Sequence, residues 1–208
     1  MTQQIRTSRV PAARGPGQRM TYQQFLQRDW EQPHAEWVDG VAVMMAQISE
    51  EHNEVGKFLI EALDLFNQAN DLGTLRYDPF QMKTGPKLPG RSPDLLFVAK
   101  KNAHRLKRLY LDGPADLVVE IISIGSRSVD RGDKYDEYER GGVKEYWLID
   151  PERRQAEFNG MGRDGLYKLL PVEDGIFRST VIKGLWLKTD WLWKRPPVLS
   201  VLKEWKLV

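Results

Sequence analysis

The segment DLVVEIIS, Asp116 to Ser123, sets an acid in an otherwise apolar, β-branched run. Side chains alternate along a strand, so Val118, Glu120 and Ile122 share one face while Leu117, Val119 and Ile121 share the other. Such a run is expected of a central strand covered on both sides, and it carries a carboxylate into the sheet. An unpaired charge there costs several kcal/mol, so Glu120 must be protonated, paired with a base, set at a wet strand end, or bound to a cation. A second acid, Asp94, opens another apolar strand, Asp94 to Val98, behind a proline that fixes an extended entry. Two carboxylates on neighbouring strands can take up one hard cation, because Mg²⁺ or Mn²⁺ favours oxygen ligands and uses one or two carboxylates with water and a substrate phosphate. That would be a phosphodiesterase centre; on spacing alone, Asp94 as a strand-start cap stays equally open.

Four segments carry a more specific signal: EWVDG (Glu36 to Gly40), SPDLLFV (Ser92 to Val98), DLVVEIIS (Asp116 to Ser123) and DKYDEYERGGVKEYWLIDP (Asp133 to Pro151). In this order, and over about Tyr22 to Trp193, they resemble the Uma-two family, a bacterial group of restriction-endonuclease-like domains within the PD-(D/E)-x-K nuclease fold class. The resemblance implies an α/β (α+β) fold: a mixed β-sheet flanked by helices, with the acidic pair near its centre and additional C-terminal β-strands. Pro93-Asp94 matches the PD element and Glu120 the second acid. The position where that fold class carries its lysine is Ile122 here. Uma-two proteins supply the amine from the following helix, and Lys134 is the matching position. The resemblance thus implies catalytic Asp94, Glu120 and Lys134, with Lys134 orienting the attacking water and stabilising charge on the phosphate while a nearby metal lowers its pKa.

Glu36 matches the acid of the EWVDG element, which implies a further metal or water ligand; an exposed acid before a turn is the alternative. His52 resembles a histidine common in the family and could accept a proton or touch phosphate, although a histidine in a first helical turn is also an ordinary surface residue. Tyr138 follows Lys134 by one helical turn, on the same face, and either holds the lysine or packs; packing is the preferred reading. Glu145 and Asp150 match family positions too, but a strand-face charge and a turn opening explain them equally.

The elements that would position these residues are legible in outline. Thr21 to Gln24 has the capping-box pattern ahead of a short helix carrying Phe25 and Leu26 inward. Asp39-Gly40 joins two strands in a hairpin. Ser49 can cap a long amphipathic helix with Val55, Phe58, Leu59, Leu63 and Phe66 on one stripe, up to Asn70. Short strands are expected at Thr74–Tyr77 and Phe80–Lys83. A second helix is expected over Val129–Arg140, stopped at Gly141-Gly142. Strands at Lys144–Ile149, Gln155–Asn159 and Leu166–Leu170 follow, and the late tryptophans read as core and interface.

The 208 residues suit one domain, expected over 20–195, between a disordered basic tail (1–19) and a C-terminal extension (196–208). At 41% hydrophobic and 29% charged, with no apolar run near the roughly 20 residues of a membrane span, the chain reads as soluble with no membrane partner. The first residues lack the apolar core of a secretory signal, and there is no cysteine, which removes disulfides, thiolate metal sites and cysteine nucleophiles; a cytoplasmic location fits. A net charge of +2 does not by itself argue for nucleic acid, although Lys100, Lys101, His104, Arg105, Lys107 and Arg108 crowd one stretch. The expectation is a metal-dependent endonuclease acting on DNA, with Mg²⁺ or Mn²⁺ on Asp94 and Glu120 helped by Glu36, and a homodimer by analogy. The alternatives are a non-catalytic nucleic-acid- or protein-binding domain retaining the fold, and a hydrolase of RNA or nucleotides.

Overall fold

In the computed structural model, residues 19–30, 34–45, 47–123 and 125–208 are described. Apart from Arg19, the expected basic tail lies outside them.

The chain opens with α1 (Tyr22–Gln27), whose capping box forms as the sequence predicts: Gln24 N donates to Thr21 Oγ1 at 3.2 Å and Thr21 N donates to Gln24 Oε1 at 2.8 Å. Next come β1 (Ala35–Val38) and β2 (Val41–Met44), joined through Asp39 (φ 50°) and Gly40 (φ 84°). Both turn residues are left-handed, as a two-residue hairpin twisted with its strands requires. Helix α2 (Glu50–Asn70) begins where the Ser49 hydroxyl accepts from His52 N, with Glu50 and Glu51 favouring its N-terminal dipole, and ends at left-handed Asp71.

The main sheet has six strands in the order β11-β10-β9-β8-β6-β3. These are β3 (Gly73–Tyr77), β6 (Leu95–Ala99), β8 (Leu117–Ile121), β9 (Glu145–Asp150), β10 (Gln155–Met161) and β11 (Tyr167–Leu169). Only β8 and β9 run parallel; the other neighbours are antiparallel, so the sheet is mixed. Its two faces bury separate cores, as the alternation in β8 predicts. Leu117, Val119 and Ile121 join Phe97, Trp147 and the α2 stripe Val55, Phe58, Leu59, Leu63 and Phe66. Val118 and Ile122 join Leu96, Val98, Tyr138 and Tyr146 under α3 (Lys134–Gly141).

A second sheet pairs the hairpin with β4 (Gln81–Lys83), β5 (Gly90–Arg91) and β7 (Tyr110–Asp112) in the order β2-β1-β5-β4-β7. The strands β12 (Val172–Glu173), β13 (Ile176–Arg178) and β14 (Trp186–Lys188) form a small third sheet, the additional C-terminal strands. The chain ends with α4 (Trp191–Lys194) and α5 (Val198–Glu204). Trp191 and Trp205 pack on each other and Trp205 meets Phe66 edge-on, so these tryptophans serve the chain's own core.

Three expectations shift. Asp94 lies one residue outside β6 rather than opening it, and β9 ends at Asp150 rather than Ile149. The helix expected over Val129–Arg140 is two-part: Val129–Asp133 forms a wide π-type turn in which Lys134 N–H donates to Val129 O, and only then does α3 begin.

Candidate active site

Register brings the two acids together. Leu95 pairs with Val119 across β6 and β8, which sets Asp94 opposite Glu120 one step beyond the last pair. Asp94 Oδ2 accepts from Ile121 N–H at 2.6 Å, a bond that fixes the carboxylate against the neighbouring strand. Its Oδ1 lies 3.3 Å from His52 Nε2 in the first turn of α2. Glu120 is buried; its Oε1 accepts from the Tyr138 hydroxyl at 2.7 Å and its Oε2 lies 3.0 Å from Lys134 Nζ. The amine also stands 3.4 Å from Glu36 Oε1 and 3.2 Å from Asp130 Oδ1. Glu36 reaches in from β1; Asp130, one helical turn before Lys134, faces inward because the π-type turn aims both at the same point.

Arg91 closes the cluster on its far side. It grips Glu137 with two parallel bonds of 2.7 Å and donates a third, also 2.7 Å, to Glu36, whose Oε1 takes Ser92 N–H at 3.3 Å. Arg91→Lys replaces a planar fork serving two carboxylates by a single ammonium, and is expected to cost about 1–3 kcal/mol in urea unfolding. A deficit within about 0.5 kcal/mol would show the fork to be dispensable.

Charges do not balance in this pocket of low dielectric. Five carboxylates (Glu36, Asp94, Glu120, Asp130 and Glu137) meet two fixed cations, Lys134 and Arg91, with His52 beside them. For Glu36, burial pushes the pKa up, but Lys134 and Arg91 outweigh it and hold the group below the usual glutamate range. For Glu120, burial raises the pKa well above that range, Lys134 opposes, and Asp130, Asp94 and Glu36 add to the rise. Asp130 is raised by burial despite Lys134. Burial alone would depress Lys134, yet Glu120, Glu36, Asp130 and Asp94 together lift it well above the ordinary lysine value. Among these acids alone the residue is held as an ammonium. His52 is pulled down by burial but held above its usual value by Asp94 and Asp130.

This pattern fits a divalent cation. Glu36 has Arg91 as well as Lys134 for counter-charge, whereas Glu120 and Asp130 share the ammonium of Lys134, and Asp130 Oδ1, 3.2 Å from that ammonium, has no other hydrogen-bond partner among the described residues. Among the described residues no group of three acids or histidines forms a ready-made cage, but Mg²⁺ does not need one: one or two carboxylates suffice when water and phosphate complete the shell. Asp94 and Glu120 are the two acids that strand register sets side by side, Asp94 against His52 and Glu120 against Lys134.

The family model described as "Putative restriction endonuclease", Uma2, matches residues 22–190. The chain belongs to the Uma2 family. Among solved structures, the crystal structure of "a putative nuclease belonging to DUF820" from Anabaena variabilis ATCC 29413 superposes with a TM-score of 0.67 at 13% identity, covering 83% of this chain and 96% of that one. It establishes the restriction-endonuclease-like fold. A search of the curated proteins finds no match.

In this Uma2 chain Asp94, Glu120, Lys134 and Glu36 converge, with His52 and Tyr138 in contact. The exposed alternatives for Glu36 and His52 do not hold: they are 4% and 7% exposed. Tyr138 packs in the core, as preferred, but it also holds Glu120 rather than the lysine. Glu145 and Asp150 stand elsewhere. Glu145 accepts from Trp147 Nε1, Ser179 Oγ and Thr180 N, tying the C-terminal loops to the sheet, and Asp150 pairs with Arg127 at 3.1 Å while capping Arg153 N–H. Sequence reasoning missed Asp130 and Arg91. Asp130 had a usable signal, an acid four residues before the lysine on one helical face; Arg91 had none, since its partners lie 55 and 46 residues away.

Proposed function

We propose that this chain is a Mg²⁺- or Mn²⁺-dependent endonuclease that hydrolyses phosphodiester bonds in DNA. The observation that carries the reading is the surplus of buried acid around one ammonium: Glu120, Asp130 and Lys134 pack behind Asp94, whose carboxylate reaches a cavity of about 950 Å³. Family membership supports it.

Asp94 and Glu120 would hold the cation, which supplies charge for a phosphoryl oxygen and makes a water acidic enough to attack at neutral pH. The protein's own residues prepare that place. Ile121 N–H fixes Asp94, and the Tyr138 hydroxyl fixes Glu120. Lys134 gathers Glu36, Glu120 and Asp130 and adds positive charge behind the reacting phosphate. Glu36, both of whose oxygens are taken by Arg91, Ser92 and Lys134, positions the amine rather than serving as a free ligand. His52 orients Asp94 from the helix side.

The test is conversion of supercoiled plasmid and of circular single-stranded DNA by purified protein with either cation. Wild type is expected to nick and linearise, while chelation by EDTA or Asp94→Ala removes the activity by at least about a hundredfold. If wild type leaves both substrates intact, or Asp94→Ala matches it, the fold serves binding instead of cleavage.

A further inference from the structure

We propose that the cavity beside Asp94 seats one unpaired nucleotide, so that the strand cut here is single-stranded or locally opened rather than continuous duplex. The inference rests on the nuclease reading and names its substrate class.

Access comes first. The side chains of Glu36, Glu120, Asp130 and Lys134 are at most 6% exposed, whereas the Asp94 side chain is 16% exposed and lines the cavity. A phosphate reaching the acids must enter there. At about 950 Å³ the space lies at the upper end of the roughly 300–1,000 Å³ typical of small-molecule sites, room for a nucleotide and its neighbouring phosphate.

The walls suit a base. Tyr77 and Ile48 both line the cavity while remaining 55% and 56% exposed. Single exposed apolar side chains are ordinary on any surface, but here an aromatic ring and a branched aliphatic share one cavity with a reactive-type carboxylate. An extruded or unpaired base gives both a face to pack on, and a paired one keeps its faces inside the helical stack. Asn53 and His34 add hydrogen-bonding groups to the lining, and the imidazole of His34 is held by Asp78 at 2.6 Å.

Charge among the described residues favours a single strand. Holding a duplex takes several Lys or Arg contacts along its phosphates. Among the described residues that line it, Lys57 is the single lysine or arginine, against Glu61, Asp78 and Asp94. The dense basic run begins at Lys100, past the far end of β6, roughly 15–20 Å along the strand from Asp94. The mouth can therefore neutralise about one phosphate with the bound cation's help, which matches a single strand threaded inward and not a helix laid across the surface.

Binding is read by fluorescence anisotropy of the full chain with Ca²⁺, using labelled short oligothymidine, oligouridine, a blunt duplex, and a duplex with an internal unpaired stretch. Oligothymidine and the interrupted duplex are expected to bind at least about tenfold tighter than the blunt duplex. Tyr77→Ala and Ile48→Ala should each weaken single-strand binding by about 5- to 150-fold, the range for losing one stacked base, with unchanged thermal unfolding. Tighter oligothymidine assigns the nucleotide to DNA and tighter oligouridine to RNA; either keeps it unpaired. Blunt duplex binding as tightly as the single strand, or both variants binding like wild type, overturns the proposal. Hydrolysis of bis(p-nitrophenyl) phosphate with Mn²⁺ separates the two levels, because that diester needs no strand. Hydrolysis lost in Asp94→Ala with blunt duplex preferred sinks the nucleotide seat alone; no hydrolysis with intact single-strand binding sinks the catalytic reading and leaves the seat.

Discussion

Glu120→Gln is expected to lower metal-dependent cleavage by about two to four orders of magnitude while the protein stays folded. Glutamine has the same shape and still accepts from the Tyr138 hydroxyl, so the packing under α3 survives. It removes a carboxylate whose ionisation is opposed by burial and by Asp130, Asp94 and Glu36, and Lys134 keeps two acid partners. The melting temperature should therefore move by no more than about 4 °C, the equivalent of about 1 kcal/mol for a chain of this size. What disappears is a charged oxygen for the cation. In wild type a proton and the cation compete for Glu120, whose pKa stands well above the glutamate range, so Mn²⁺ affinity should rise with pH through that elevated value. Calorimetric titration of Mn²⁺ across pH should show this rise in wild type and a flat, weak response in the variant. A glutamine variant that turns over like wild type removes Glu120 from the chemistry.

Lys134→Met is expected to be the most destabilising change in the site, by about 3–5 kcal/mol near neutral pH. Methionine fills the lysine's volume but leaves Glu36, Glu120 and Asp130 facing one another, each almost wholly buried. The pH dependence follows from linkage. Without the ammonium, the folded-state pKa values of Glu120 and Asp130, which Lys134 opposes in wild type, stand further above their unfolded values, so the folded chain binds protons that the unfolded chain has released. Stability is then intact in acid, below the unfolded pKa values, and falls as pH rises through the interval up to the raised folded values. Thermal unfolding should accordingly show a deficit that grows from acid to neutral pH. Mn²⁺ should raise the variant's melting temperature more than wild type's, because the ion replaces the lost charge and binds only the folded state. A deficit independent of pH and indifferent to the metal would falsify the electrostatic account of this cluster.

The legible part of the site and the hidden part differ in range. Glu120 announced itself because a carboxylate in an alternating apolar run must find a partner wherever the strand lies, and the hairpin at Asp39-Gly40, the Ser49 cap and the left-handed stop at Gly142 are likewise set by neighbours a few residues away. β5 and β7 went unseen, since two or three residues carry no periodicity and such strands exist only through the strands beside them. Lys134 and Glu36 were reached by family resemblance rather than by pattern. The role of Tyr138 depended on whether its hydroxyl met the amine or the acid, a matter of about one side-chain length.

By itself the sequence determined the order of the longer helices and strands, the two-sided burial of β8 and the requirement that Glu120 be compensated. Only the tertiary structure decided by what: β6 against β8 brought Asp94 opposite, the π-type turn aimed Asp130 and Lys134 inward together, and Arg91 bound Glu36 and Glu137 at once. The reason is physical. Local propensity acts within a turn or a strand pair, whereas the strength of a charge pair depends on distance and on the exclusion of water, and neither exists until distant segments have packed.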